Sequence, residues 1–129
     1  MSEWVLDASA VLAYLQAEPG KDVVEEALLD QASISAVNLA EVVTKLYDGG
    51  MPESAVREVL DALPLVVFPL DADAAVSVGL LIKDSKPHGL SLGDRACLAL
   101  AAHLGCAVLT ADRVWSHLSL PVEVQLIRS

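Results

Sequence analysis

The chain has 129 residues, of which 54% are hydrophobic and 20% are charged, and its formal net charge is −10. This composition is typical of a globular domain with a substantial apolar core, so it excludes disordered and collagen-like chains, and the length predicts a single domain over residues 1–129. Because phosphate contacts use Lys and Arg, the excess of 18 acids over 8 bases also argues against a general nucleic-acid-binding surface.

Short apolar runs alternate with helical patterns along the whole chain. Residues 4–7 predict a buried strand, which is followed by helices at 8–17 and 21–31, a strand at 33–36, and helices at 37–48 and 52–63. A strand at 65–68, a helix at 71–84, a loop at 84–89, a helix at 91–105, a strand at 107–110, a short helix at 112–118 and a strand at 122–127 complete the order. This alternation predicts an α/β domain with a mostly parallel sheet of four or five strands and helices on both faces.

The sequence shows no feature of a membrane or secreted protein. No stretch reaches the roughly 18 unbroken apolar residues of a membrane-spanning helix, so we expect no membrane association. The N-terminal sequence MSEWVLD lacks the basic region of a secretory signal, and Cys97 and Cys106 lie in apolar surroundings. We therefore predict a cytoplasmic protein with buried free thiols. No glycine-rich phosphate loop is present, so nucleotide binding has no support.

Four acids are placed where a ligand would bind in such a fold. In open α/β sheets, ligands occupy the crevice at the carboxyl ends of the strands. Asp7 follows the first predicted strand, and Asp112 follows the strand at 107–110. Glu41 and Asp94 lie on predicted helices that should line the same crevice. The sequence therefore predicts a cluster of carboxylates at one edge of the sheet.

Each acid also has a purely structural interpretation. Asp7 and Asp112 can each be the N-cap of the helix that follows. Asp94 lies three residues after Ser91, which is the spacing of a capping box. Glu41 projects away from the apolar stripe of its helix, as a surface residue would. For any one acid alone the structural interpretation is the favoured one, and the functional interpretation depends on the four acids together.

Clustered carboxylates have a chemical use that isolated caps do not have. Like charges at close range raise each other's pKa, so such a cluster is unfavourable on its own. A hard divalent cation removes this cost, and Mg²⁺ and Mn²⁺ prefer oxygen ligands while keeping several waters. The sequence therefore predicts a site for Mg²⁺ or Mn²⁺.

Four blocks of the sequence resemble, in order and spacing, those of PIN-domain ribonucleases. The blocks are VLDASAVLAYL, NLAEVVTKL, LSLGDRACLALA and VLTADRVW, and each carries one of the four acids. The nearest likeness is to VapC-type toxins of type II (VapBC) toxin–antitoxin systems, and it extends from Trp4 to Trp115. The resemblance implies a three-layer α/β/α PIN-like fold and a Mg²⁺- or Mn²⁺-dependent endoribonuclease that acts as a toxin.

The resemblance also implies roles for the acids. Asp7 and Asp94 would be the principal ligands of the metal, directly or through water. Glu41 would lie in the same pocket and help to orient metal-bound water, and Asp112 would complete the acidic pocket. A metal ion lowers the pKa of bound water, so no Ser-His-Asp or Cys-His set is required.

Other polar residues in these blocks have open assignments. Ser9 and Thr110 would hydrogen-bond the metal shell or the scissile phosphate, with ordinary turn and cap chemistry as the alternative. Asn38 has the same two interpretations. Arg95 would contact RNA or an acidic neighbour, but a single Arg on a helix is more often a surface residue.

The partners implied are an RNA substrate, a cognate antitoxin and a second copy of the chain. The RNA candidates include tRNA, and the acidic surface predicts weak or highly selective binding through metal ions and a few bases, namely Arg95, Arg113, Lys83 and Lys86. The same surface suits a basic antitoxin segment that inserts into the active-site groove. The resemblance implies a homodimer, for which the apolar helices 8–15 and 37–47, with Tyr14 and Tyr47, give weaker support.

Two other functions are consistent with a small acidic α/β chain. A response-regulator receiver domain would need an acidic pair after the first strand, an Asp ending a middle strand and a Lys ending a late strand. Here LVVF is followed by Pro69 and Leu70, and AVLTAD contains no Lys, which disfavours this alternative. A catalytically silent PIN-like binding module is the second alternative, and loss of cleavage in Asp7→Asn would distinguish it from an enzyme.

Overall fold

A parallel sheet forms the centre of the computed structural model, which describes residues 4–129. Within those residues, the strands follow the order β3-β2-β1-β4-β5, and every neighbouring pair is parallel. The strands are β1 (Trp4–Leu6), β2 (Ala32–Ser35), β3 (Leu65–Phe68), β4 (Ala107–Thr110) and β5 (Val124–Leu126). The mostly parallel sheet of four or five strands is confirmed. The start of the MSEWVLD segment, residues 1–3, lies outside the described residues, so the prediction about a leader is untested.

Helices occupy most of the remaining chain. They are α1 (Ala8–Leu15), α2 (Lys21–Asp30), α3 (Ala36–Asp48), α4 (Glu53–Ala62), α5 (Ala72–Leu80), α6 (Ile82–Ser85) and α7 (Leu92–Leu104), with 3-10 helices at Lys86–His88 and Arg113–His117. The predicted loop at 84–89 is wrong in part, because Pro87 has the fixed φ that suits the first turn of a 3-10 helix. Among the described residues, no helix is both long and apolar enough to cross a membrane.

Alternate residues of the central strands face two separate apolar cores. Leu6 of β1 and Leu109 of β4 pack with α1 to α4 on one face of the sheet. Val5 and Val108 pack with α7 and Trp115 on the other face. Successive side chains of a strand point to opposite faces, so a sheet covered on both sides needs continuous apolar strands such as WVL and AVLT. The predicted three-layer α/β/α arrangement is confirmed.

The strand order reverses between β1 and β4. The chain passes from β1 to β2 and β3 on one side, and then returns to place β4 against the other edge of β1. The register pairs Leu6 with Leu109, so the two strands end at the same level. Adjacent crossovers on opposite faces leave a crevice at this point, which is where α/β sheets bind ligands. Asp7 follows β1 at this reversal.

Small side chains let α7 approach the sheet closely. Gly93, Ala96, Cys97 and Ala101 are all buried on its inner face. The N-terminal end of α7 also contacts α3, because the Asn38 side chain donates to the Gly93 carbonyl oxygen at 3.0 Å. The first turn of α7, which carries Asp94, is therefore held beside α3, which carries Glu41.

Candidate active site

Asp7 is a buried carboxylate at the reversal of the sheet. Its side chain is 5% exposed, and one oxygen, Oδ1, accepts hydrogen bonds from the Ala10 backbone N–H at 2.9 Å and from the Ser9 hydroxyl at 2.7 Å. The other oxygen, Oδ2, accepts from the Thr110 hydroxyl at 2.6 Å. The Ala10 contact confirms that Asp7 is the N-cap of α1.

Helix capping alone does not explain why a buried residue whose ionisation is unfavourable occupies position 7. Burial raises its pKa from 3.8 to about 6, the charge of Asp94 adds to the rise, and the bonds from Thr110, Ser9 and Ala10 oppose it. Ser and Asn cap helices as well as Asp does, without an ionisable group. A carboxylate kept at a position where ionisation is unfavourable is typical of a functional site.

Thr110 connects Asp7 to the segment that carries Asp112. The Thr110 side chain is fully buried at the end of β4, and its hydroxyl donates to Asp7 while accepting from the Asp112 backbone N–H at 3.0 Å. The Ser9 hydroxyl accepts from the Ala111 backbone N–H at 2.9 Å. These bonds join the start of α1 to the end of β4, so Ser9 and Thr110 both lie around Asp7.

Thr110→Val tests this connection with little change of shape. The variant removes a charge-assisted donor from Asp7, so we expect a higher Asp7 pKa. If Asp7 is a metal ligand, as the sequence predicts, Mn²⁺ binding at neutral pH should be about 10- to 100-fold weaker. Calorimetric titration with Mn²⁺ measures the change. Unchanged affinity in folded Thr110→Val would show that this hydroxyl does not contribute to metal binding.

Asp112 lies at the exposed rim of the site. Its Oδ1 accepts from the Val114 backbone N–H at 3.0 Å, which confirms it as the N-cap of the 3-10 helix Arg113–His117. Its link to Asp7 runs through its backbone N–H and Thr110 rather than through its own carboxylate. The proposed contribution of Asp112 to a metal site stays a prediction.

Asp94 occupies the predicted capping box. Its Oδ2 accepts from the Ser91 backbone N–H at 2.9 Å, and the Ser91 hydroxyl accepts from the Asp94 N–H at 3.1 Å. The side chain is half-buried, and its charge raises the pKa of Asp7. Asp94 therefore stabilises the start of α7 and also lies close enough to Asp7 for its charge to act on that carboxylate.

Glu41 is not a freely solvated surface residue. It is half-buried between α3 and α7, and its Oε1 accepts from Asn38 Nδ2 at 2.8 Å. The same nitrogen donates to the carbonyl oxygen of Gly93. Asn38 is 1% exposed and faces this site rather than solvent. The helical wheel of α3 could not show this contact, because it depends on where α7 packs.

Cys97 is a buried thiol on α7 that lies within range of the charges of three of the four acids. Burial raises the pKa of Cys97, and the charges of Asp7, Asp94 and Glu41 raise it further. Each of these charges must lie near Cys97 to act on it. The predicted buried free thiol is confirmed for Cys97, whereas Cys106 is only partly buried.

Arg95 faces away from the predicted RNA site, toward α5. Its Nη1 donates to the Val78 carbonyl oxygen at 3.2 Å, and its buried Nε has no partner among residues 4–129. Arg95 therefore ties α7 to α5, and an RNA contact stays a prediction. A separate cavity of about 310 Å³ lies nearby and is lined by residues that include Val78, Leu100 and His103 but none of the four acids.

The residues around Asp7 fit a hard divalent cation in their chemistry, although in the described part of the chain no three acids, cysteines or histidines form a ready-made ligand cluster. The carboxylates supply oxygen donors, which Mg²⁺ and Mn²⁺ prefer. Asn38 Oδ1 is a further buried oxygen, and it has no hydrogen-bond partner within the described residues. Mg²⁺ keeps several of its waters, so it can bind carboxylates through water as well as directly.

Comparison with solved structures shows the same fold in several toxin–antitoxin proteins. The chain is similar to DNA-bound VapBC from Salmonella typhimurium, with a TM-score of 0.77 and 17% identity over 98% of this chain and 99% of that chain. It is similar to VapBC2 from Rickettsia felis, solved with a promoter DNA fragment, with a TM-score of 0.74 and 15% identity over 95% and 97% of the two chains. It is also similar to VapC20 from Mycobacterium tuberculosis, described as a sarcin-ricin loop cleaving toxin, with a TM-score of 0.71 and 16% identity over 88% and 92%.

Sequence comparison assigns the family independently of the fold. A comparison with curated protein sequences finds no match. The family model described as the PIN domain matches residues 4–120. This range begins at β1 and includes Asp7, Glu41, Asp94 and Asp112, so the four acids and every strand except β5 lie within the matched region. The protein belongs to the PIN domain family.

Proposed function

We propose that the protein is a Mg²⁺- or Mn²⁺-dependent endoribonuclease and the toxin of a toxin–antitoxin pair. The observation that carries this proposal is the position of Asp7, a desolvated carboxylate at the reversal of the sheet whose pKa is raised further by the charge of Asp94. No basic side chain forms an ion pair with these acids within residues 4–129. A cation is the species that would make this arrangement of negative charge favourable.

Each of the four acids would have its own role in phosphodiester hydrolysis. When bound, the cation lowers the pKa of water and offsets negative charge on the scissile phosphate. Asp7 and Asp94 would hold it, and the donors around Asp7 keep that carboxylate in one orientation. Glu41, held by Asn38, would orient the attacking water and accept its proton. Asp112 would extend the negative pocket at the rim.

The acidic surface limits how RNA can bind. Lys83, Lys86 and Arg113 are exposed, while Arg95 is engaged with the carbonyl oxygen of Val78. A chain of net charge −10 repels RNA at long range, although screening over about 8 Å at physiological salt weakens the effect of remote charges. We infer that recognition depends on the cation and on the shape of a particular structured RNA, with tRNA and ribosomal RNA as candidates.

The partner proposals follow from charge and from exposed apolar surface. Solved structures similar to this chain include a toxin–antitoxin complex from Klebsiella pneumoniae, and an acidic groove suits a basic antitoxin segment. For the homodimer, α1 gives little support because its apolar side chains are buried in the core or, like Tyr14, packed against it. Tyr47 of α3 is exposed, and four further exposed apolar residues lie on the edge strand β3 and on α5, namely Val66, Val67, Val76 and Leu80. We propose that a second copy covers this side in the cytoplasm.

The second candidate function is a silent PIN-like module that binds without cleaving. The fold alone does not distinguish it from an enzyme, because one fold can carry many functions. The receiver-like alternative is disfavoured further, since β3 ends at Phe68 and is followed by Pro69 rather than by an acceptor Asp.

Cleavage of structured RNAs by the wild-type protein tests the proposal. We expect fragments from at least one tRNA or ribosomal RNA stem-loop with Mg²⁺ or Mn²⁺, and none after chelation. Re-addition of the metal should restore cutting. Binding of Mn²⁺ without cleavage of any RNA in the panel would favour the silent module, whereas cleavage in the presence of chelator would contradict the metal-dependent mechanism.

A further inference from the structure

The glycine before Asp94 lies against the carboxylate of Glu41. A Cβ added to Gly93 would lie 2.6 Å from both Cδ and Oε1 of Glu41, which is closer than real Cβ contacts allow. Gly93 is within α7 and has no positive φ, so the backbone itself does not require glycine there. Glycine is a poor helix former, and its presence is accounted for by the space that it leaves for Glu41.

Asn38 donates a hydrogen bond to the same carboxylate. Its Nδ2 donates to Glu41 Oε1 at 2.8 Å and to the Gly93 carbonyl oxygen at 3.0 Å. Because both partners are acceptors, the amide nitrogen must face them, and the orientation of the side chain is fixed. One buried amide therefore joins Glu41 on α3 to the residue that precedes Asp94 on α7.

We propose that Gly93 and Asn38 are positioning residues that seat the Glu41 carboxylate beside Asp94. Asn38 supplies the donor, and the absent side chain of Gly93 supplies the space. Any role of this positioning in metal binding rests on the proposed function, whereas the contacts of Glu41 with Asn38 and Gly93 do not. A site on two helices needs such support, since misplacement of about 0.5 Å is enough to impair binding or catalysis.

The positioning of the Glu41 carboxylate can be tested without metal, by measuring the melting temperatures of a double-mutant cycle. Gly93→Ala should lower the melting temperature when Glu41 is present, because the new methyl group displaces a carboxylate that is bonded to Asn38. In a Glu41→Ala background the three atoms nearest to the added Cβ are gone, so Gly93→Ala should raise the melting temperature by about 2–4 °C through helix propensity. Gly79→Ala is the matched control, because a Cβ at this exposed helical glycine meets no atom within 4 Å. A change of the same sign in both backgrounds would overturn the proposal.

Titration with Mn²⁺ alone tests the link to the metal. Gly93→Ala should weaken Mn²⁺ binding about tenfold with Glu41 present, and less than about twofold in the Glu41→Ala background. An equal loss in both backgrounds would mean that the added methyl group acts on α7 itself, and it would contradict positioning through Glu41. If the wild type binds no Mn²⁺, the proposed function fails. The metal-free stability cycle still decides whether Gly93 leaves the space that the Glu41 carboxylate occupies.

Discussion

Asp94→Asn should abolish RNA cleavage while leaving the fold intact. Replacing the carboxylate by an amide removes a charged ligand, and we expect a fall in kcat/KM of at least about 10³-fold, the size of several kcal/mol of lost charge stabilisation. The Asn oxygen can still accept from the Ser91 N–H, so the capping box is retained in part. Single-turnover cleavage with saturating Mn²⁺ measures the effect.

Ser91→Ala is the control that separates catalysis from capping. It removes the other half of the box by deleting the acceptor for the Asp94 N–H, and it should cost about 1 kcal/mol of stability. Cleavage by the folded variant should stay near the wild-type rate. If Ser91→Ala and Asp94→Asn reduced cleavage equally, Asp94 would act only by holding the start of α7.

Asp7→Asn should give a protein that is inactive and yet more stable. The folded-state pKa of Asp7, about 6, lies above the unfolded value of 3.8, so between these two pH values the folded chain keeps a proton that the unfolded chain loses. The contribution of Asp7 to stability is therefore greatest below pH 3.8 and falls by about 3 kcal/mol as the pH rises through 6. Asn caps α1 equally well without this loss.

Urea unfolding of the metal-free proteins from pH 4 to pH 8 measures this difference. Asp7→Asn should match the wild type near pH 4 and exceed its free energy of unfolding by about 2 kcal/mol at pH 7 to 8, with part of the gain offset by the altered Thr110 bond. Excess Mn²⁺ should close the gap by stabilising only the wild type. A variant that was less stable than the wild type at pH 8 would contradict the unfavourable ionisation of Asp7.

The order of the elements was predictable because the strands are apolar on both faces. WVL and AVLT read as continuous buried runs, and the helices between them carry recognisable caps at Asp7, Ser91 and Asp112. These are local signals, set by residues within one turn of each boundary. The 84–89 region was less predictable, since a proline favours a loop and a 3-10 turn by the same fixed φ.

The four acids could be proposed from the sequence, whereas the contacts that hold Glu41 could not. Asp7 and Asp112 follow strands, and parallel strands bring their carboxyl ends to one edge, so their proximity follows from topology. The contacts of Glu41 depend on α7, whose Gly93 lies 55 residues from Asn38 in the chain. Gly93 was missed because a glycine next to an acid carries no local signal. Its meaning appears only when α3 packs beside it.

Side-by-side cleavage by the wild type, Asp7→Asn and Asp94→Asn, at equal folded concentration and with and without Mn²⁺, tests the central claim most directly. Asp7→Asn is the informative variant, because lost activity cannot be attributed to lost stability. The account predicts Mn²⁺-dependent cutting of a structured RNA by the wild type and none by either variant. Cutting by both variants at the wild-type rate would contradict a carboxylate–metal ribonuclease.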